Sequence, residues 1–392
     1  MKRRILLILF LLPLIFSACT PKKSTMIYNA YDKDQIGGKS NTESASGDES
    51  ANQIASVSDS DGQSGKTSGN ENYIETIPKE ARFWVENAGA SLLMTAGEIQ
   101  AYNKKLIKEN GCLVDLLSYG EKYKKGIVVN RCLLLRKALS SYTWEDVETG
   151  LYTGMPVIIL EETKDWYKIQ CYFYYGWTKK TNIALAGNEE WKSFCYAKDF
   201  VVITDALLKA DGKLLDMGTP LPLLGVKNDK YSVLAPQRDK NGNFYTSEIL
   251  IKRSQAHVGF LPYNERNVYI QSFKYLGIPY GWGDKDNGVD CSSYIANVHR
   301  VFGLFIPRNG AQQRNAFGNN TDIFDLSAEE KTEYLFSVKN LSILYRDGHT
   351  MIYLGVKDDK HYIIHASGGT IRKVVAEPIA NIAVLKSVSY IV

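Results

Sequence analysis

The chain has 392 residues, 44% of them in the hydrophobic class, and its 47 Lys and Arg against 43 Asp and Glu leave a net charge of +4. That length suits two to four domains, each able to bury its own core. The charges are small in sum and interspersed, and no basic stripe with interleaved aromatics is present, which excludes a nucleic-acid binder of the usual kind.

The chain opens with Met1-Lys-Arg-Arg4, an apolar run from Ile5 to Phe16, and Ser17-Ala-Cys-Thr20. A basic start, a short apolar stretch and small residues before a cut form a secretory signal, and the run is too short to span a bilayer. Cys19, directly after small residues, resembles the lipidated cysteine of a lipobox, although Phe16 stands where Leu is commoner. The resemblance implies a signal peptide over residues 1–18, lipidation of Cys19, and a membrane anchor in the cell envelope. Residues 19–76 are rich in Ser, Gly, Asn, Asp and Glu and cannot bury a core. They read as a disordered linker, reaching about 40 Å on average for some 55 residues.

Further along, short β-rich runs at 127–129, 156–160, 166–169 and 176–178 are separated by turn residues, and a second such unit runs from about 199 to 262. The cluster Tyr172, Tyr174 and Tyr175 fits a half-buried sheet face or a ligand groove. Cys112, Cys132, Cys171 and Cys195 have no tight spacing, so no disulfide is assigned, although export permits one.

Cys291 lies where the Gly-rich stretch Tyr280-Gly-Trp-Gly283 runs through Asp290-Cys-Ser-Ser293 into an apolar pattern. Tyr294, Ile295 and Val298 fall three, four and seven residues after Cys291, which predicts one apolar helix face. Asp290 suits the N-cap and Gly303 the stop. A thiol in a helix's first turn meets the positive end of the dipole and free N–H groups, which favour the thiolate.

Two histidines supply candidate partners. Gly348-His-Thr-Met-Ile-Tyr-Leu-Gly355 and His361-Tyr-Ile-Ile-His-Ala366 flank a polar turn and read as a β-hairpin. If the turn centres on Lys357, His349 and His365 are directly opposed and share a face. His361 then sits near the turn as a solvated residue, and His299, two turns along the Cys291 helix, reads as structural. A cysteine, a base and an orienting group make an activated nucleophile. The spacing suits no common zinc pattern.

These motifs, with Phe302-Gly-Leu-Phe-Ile-Pro-Arg308, occur in an order and spacing that resembles the papain-like NlpC/P60 cysteine endopeptidases over residues 264–392. The resemblance implies an α+β catalytic domain with Cys291 as nucleophile, His349 as base and His365 as the third polar residue. It also implies substrate contacts from Tyr280, Asp290 and Ser292, and a structural Arg308. The sequence departs from the family in His349-Thr-Met351, where His-Val-Gly is common, and in Asn309-Gly310 after Pro-Arg. Upstream, the chain resembles the family's multidomain subgroup, with a stabilising segment at 77–120 and all-β SH3-like barrels at 121–190 and 191–263. In that subgroup the first barrel covers the cleft and an acidic residue holds a free L-Ala amine, for which Glu145, Asp146 and Glu148 are candidates.

The implied activity is hydrolysis of the D-γ-glutamyl–diamino acid bond of peptidoglycan stem peptides by a monomer that needs no cofactor or metal. A catalytically inactive peptidoglycan-binding lipoprotein, and a papain-like amidase or acyltransferase on another substrate, are the alternatives.

Overall fold

A computed structural model describes residues 79–110, 113–131, 135–139, 147–317 and 319–391. The signal, Cys19 and linker expected in residues 1–76 lie outside the described residues, as do Cys112, Cys132, Glu145 and Asp146.

The N-terminal segment is built onto the C-terminal domain. It comprises helix Lys79–Glu86, strand Leu92–Met94 and helix Ala96–Asn110. Thr95 and Glu98 start the second helix reciprocally: the Thr95 N–H donates to the Glu98 carboxylate at 2.7 Å, and the Glu98 N–H donates to Thr95 Oγ1 at 3.3 Å. Buried Asn103 donates to the Gly303 carbonyl at 2.8 Å and accepts from the Phe305 N–H at 3.0 Å. Strand Leu92–Met94 pairs with Tyr263–Asn264, and Trp84 stacks on Tyr269.

Two larger antiparallel sheets follow, with a two-stranded antiparallel ribbon, Leu207–Ala210 and Lys213–Asp216, in the second unit. The first has seven strands in the order Val147–Thr149, Leu135–Arg136, Tyr175–Lys179, Trp166–Gln170, Pro156–Glu162, Lys125–Val128, Ile183–Ala186. The second has five, in the order Phe244–Lys252, Lys230–Arg238, Pro220–Lys227, Phe200–Ile203, Ala256–Val258. Closed barrels were the expectation from sequence. Closure requires the first and last strands to pair, and among the described residues the edge strands of neither sheet do so. The outer edge of the first sheet instead meets the second unit, where the Leu185 N–H donates to the Gly242 carbonyl at 2.9 Å. Helix Asn188–Cys195 crosses the expected boundary at 190, and its buried Trp191 donates to the Gly126 carbonyl of the first sheet. Cys171 and Cys195 are buried free thiols.

The C-terminal domain mixes helix and sheet. Its six antiparallel strands run in the order Asn319–Asp322, Ser387–Tyr390, Ile343–Arg346, His349–Lys357, Lys360–Ala366, Val374–Pro378. Helix Cys291–Arg300 packs on one face through Tyr294, Ile295 and Val298, all fully buried, as the apolar spacing requires. Met351, Tyr353 and Ile363 point to the other face, into a second core with Leu335 of helix Ala328–Ser337. Both faces are therefore covered, which explains why these strands read as nearly continuous apolar runs.

Candidate active site

Cys291 is the first residue of its helix, and Asp290 is the N-cap. The Ser293 N–H donates to the Asp290 carboxylate at 2.9 Å, and the Asp290 N–H donates to Ser293 Oγ at 2.9 Å. The preceding Gly-rich stretch folds back on itself. The Gly281 N–H donates to the Val289 carbonyl and the Val289 N–H to the Pro279 carbonyl, so Tyr280 is held against the segment leading to Cys291. Gly288 is required there, because a Cβ would lie 2.6 Å from the Pro279 carbonyl oxygen.

The hairpin brings the histidines together by a route other than the expected one. The turn is centred on Asp358 and Asp359, both at positive φ, with Lys357 paired to Lys360. Continued regularly, that register would put His349 and His365 on opposite faces. A bulge between Tyr353 and Gly355 inserts one residue and restores the parity. His349 Nε2 lies 2.6 Å from His365 Nδ1, and His365 Nε2 lies 3.1 Å from Glu377 Oε1.

This chain of contacts fixes the tautomers. An ionised Glu377 only accepts, so His365 donates from Nε2 and accepts at Nδ1. His349 therefore donates from Nε2, which leaves its Nδ1 lone pair to take a proton. Glu377 was missed from sequence; its only signal is its place on the strand next to His365. We expect Glu377→Gln to lower kcat about tenfold with little change in KM, because the amide can hold His365 in either tautomer. An unchanged kcat would remove Glu377 from the relay.

His361 is not a solvated turn residue. It is 5% exposed, with Nδ1 2.7 Å from the Tyr353 hydroxyl and its ring against Phe336, and it belongs to the second core. His299 is buried with Nδ1 2.8 Å from the Ile295 carbonyl oxygen, and burial lowers it to about 4.

Cys291 and His349 line one cavity of about 320 Å³, together with Glu148, Tyr280, Trp282 and Arg346. Asp290 and Ser292 form part of its wall, with their polar atoms already engaged. Arg308 binds the Asp290 carboxylate through two bonds of 3.0 and 2.6 Å, and also donates to Ser292 Oγ at 3.0 Å. Any ligand contact by these two residues shares those bonds. Glu148 comes from the first sheet and accepts from the Tyr174 hydroxyl; the adjacent Val147 carbonyl accepts from the Trp282 indole at 3.2 Å.

Electrostatics reverse the expectation of a resting thiolate. Burial pushes the Cys291 thiol up to about 11, and the Asp290 carboxylate adds to this. The Thr350 and Ser292 N–H groups and Arg308 pull the other way without overcoming it. Burial lowers His349 to about 3, assisted by His365 and Arg346. Both shifts favour a neutral thiol and a neutral imidazole at rest within the one cavity. Burial, followed by the nearby Cys291 and Asp290, raises Tyr280 to about 12, so it stays a hydroxyl donor.

The profile of the NlpC/P60 family matches residues 277–388. A γ-D-glutamyl-L-lysine dipeptidyl-peptidase of Bacillus cereus is 27% identical over 220 residues, which cover 50% of this chain and 60% of that protein. The chain thus spans about 60% of the length of that relative. Among solved structures, an NlpC/P60 endopeptidase from Photobacterium damselae subsp. piscicida aligns with a TM-score of 0.58 at 18% identity, covering 82% of this chain and 84% of its own. An NlpC/P60 family protein of Bacillus cereus aligns at 0.51 and 18% identity, covering 68% and 99%. These two likenesses describe the fold alone. The sequence match to the NlpC/P60 family runs over residues 277–388, which contain Cys291, His349 and His365.

Proposed function

We propose that this chain is an exported cysteine endopeptidase that cuts the D-γ-glutamyl–diamino acid bond of peptidoglycan stem peptides carrying a free N-terminal L-Ala. The observation that carries this reading is the Glu377–His365–His349 relay, which presents a basic nitrogen in the cavity that holds Cys291. As Cys291 Sγ attacks the γ-carbonyl carbon, its proton passes to His349 Nδ1. The oxyanion is stabilised by backbone N–H groups at the helix start, including that of Cys291. His349 returns the proton to the departing amine nitrogen, the C–N bond breaks and a thioester remains. Water, deprotonated by His349, then attacks the thioester carbon, and Cys291 leaves as thiol.

Glu148 supports the free-amine requirement. It is the member of the Glu145, Asp146 and Glu148 group that lies within the described residues, and its carboxylate lines the cavity under the Tyr174 hydroxyl. An ammonium paired with a part-buried carboxylate contributes about 1.5–3 kcal/mol. Mass spectrometry of L-Ala-γ-D-Glu-diamino acid digests should therefore show L-Ala-D-Glu as product. Acetylating the L-Ala amine should reduce kcat/KM by about 10- to 100-fold, and Glu148→Gln should reduce the penalty for acetylation. Cleavage at another bond, or indifference to acetylation, would overturn this reading.

A further inference from the structure

The cavity's second charged feature lies beside the base. Arg346 is directly opposed to His349 across the antiparallel ladder, and opposed residues project to the same face with their Cβ atoms about 5 Å apart. On its other side, strand Ile343–Arg346 pairs with Ser387–Tyr390 through Tyr345 and Ser387. One further step of that register sets Lys386 beside Arg346. His349, Arg346 and Lys386 thus form a row across three adjacent strands, and all three line the cavity. Arg314, from helix Gly310–Ala316, lines it too.

Like charges placed side by side on a sheet repel. Arg314 is paired with Asp322 at 3.0 Å and Lys386 with Asp347 at 2.7 Å, and both acids are largely solvated, at 62% and 83% side-chain exposure. Arg346 is exposed and makes no ion pair among the described residues. A cationic row with an unpaired guanidinium, set in a reaction cavity, is complementary to an anion. Arg in particular suits a carboxylate, which it binds through two parallel bonds.

The side of the cleft follows from the chemistry. His349 must protonate the departing amine, so the residue that leaves lies on the His349 side, while Glu148 on the first sheet belongs with the opposite end of the substrate. We infer that Arg346, supported by Lys386 and Arg314, forms a subsite for a carboxylate on the leaving residue and makes the enzyme select substrates that carry one there. This inference rests on the endopeptidase reading. The carboxylate has two possible sources, the α-carboxylate of a terminal residue or a carboxylate on its side chain.

Four synthetic peptides test it: L-Ala-γ-D-Glu-L-Lys with a free carboxyl terminus, the same peptide as its carboxamide, L-Ala-γ-D-Glu-meso-diaminopimelate amidated at the α-carboxyl, and the free-terminus lysine peptide amidated at the D-Glu α-carboxylate. Wild type should cleave the first or the third with kcat/KM about tenfold or more above the carboxamide. Whichever of the two is favoured identifies the source. In Arg346→Gln that ratio should collapse towards one, and Arg346→Lys should keep part of it. Each ratio is taken within one protein, so any effect of the lost charge on His349 cancels. Equal rates on the first three peptides in wild type, an unchanged ratio in Arg346→Gln, or a ratio that follows the D-Glu carboxylate would each overturn the subsite. Failure to cleave any of the four would overturn the endopeptidase reading itself, and the subsite with it.

Discussion

Replacing Cys291 with alanine is expected to lower kcat/KM for stem-peptide hydrolysis by at least about 10⁴-fold, leaving only what binding and the oxyanion donors supply. The fold should survive, since Cys291 is partly exposed and alanine is the better helix former. Retention of wild-type rates in Cys291→Ala would remove the thioester route. The resting protonation state gives a second, independent test. With the thiol near 11, only about one molecule in 10⁴ carries a thiolate at pH 7, by the definition of a pKa. Alkylation of Cys291 by iodoacetamide should therefore be slow at neutral pH and rise about tenfold per unit up to roughly pH 10. A rate that levels off below pH 7 would instead reveal a preformed thiolate–imidazolium pair. His349 stays neutral until the pH falls towards 3, so its protonation should cost no activity above about pH 4.

A neutral resting pair asks more of the base than a preformed ion pair does. On the proposed route the proton must move as the Sγ–C bond forms, so the position of His349 Nδ1 matters more than the acidity of the Cys291 thiol. This is where the relay contributes. A single tautomer, fixed from Glu377 through His365, keeps the accepting lone pair available and stabilises the imidazolium once it forms.

The helix of the site was legible from sequence because its determinants are local. A capping residue and the 3, 4, 7 spacing of Tyr294, Ile295 and Val298 need no information from elsewhere in the chain. The hairpin was legible in outline only. The expected turn centre at Lys357 and the absence of a bulge were both wrong, and the two errors together moved the register by an even number, so His349 and His365 still share a face. His361 was misread because the sequence does not show that helix Ala328–Ser337 covers the far side of the sheet. The resting thiol was misread for a similar reason. The helix terminus is a local feature, whereas the burial that outweighs it is set by tertiary packing around Cys291. Glu377 and Arg346 act through strand pairing, which no spacing within a single strand records.

Arg308→Met is expected to destabilise the fold by about 3–5 kcal/mol at pH 8, the usual consequence of stripping one partner from a buried ion pair. Arg308 is 4% exposed and joins three parts of the molecule. It binds both oxygens of Asp290, the N-cap of the Cys291 helix; it lies 3.9 Å from Asp284; and its Nε donates to Thr149 Oγ1 of the first sheet at 2.7 Å. Burial works against the charge on Asp290, and Arg308 outweighs it, leaving that carboxyl below its usual range. Asp284 is raised, with burial the larger influence. The sign of the pH dependence follows. In wild type the depressed Asp290 contributes stability that is present above the unfolded pKa near 3.9 and is lost as pH falls through its folded value. In Arg308→Met both buried carboxylates lose the Arg308 charge, so burial pushes both above their unfolded values. Their penalty is full above those raised values and is relieved as pH falls through them. The stability gap between wild type and variant should therefore narrow from pH 8 to pH 5 in guanidinium unfolding, and a gap of equal size at both would sink the account. Arg308→Lys, which keeps a charge but not the paired bonds, should lose less, about 1–3 kcal/mol. Because Asp290 caps the nucleophile's helix, both variants should also lose kcat in proportion to how far that cap is disturbed, linking the buried arginine to the placement of Cys291.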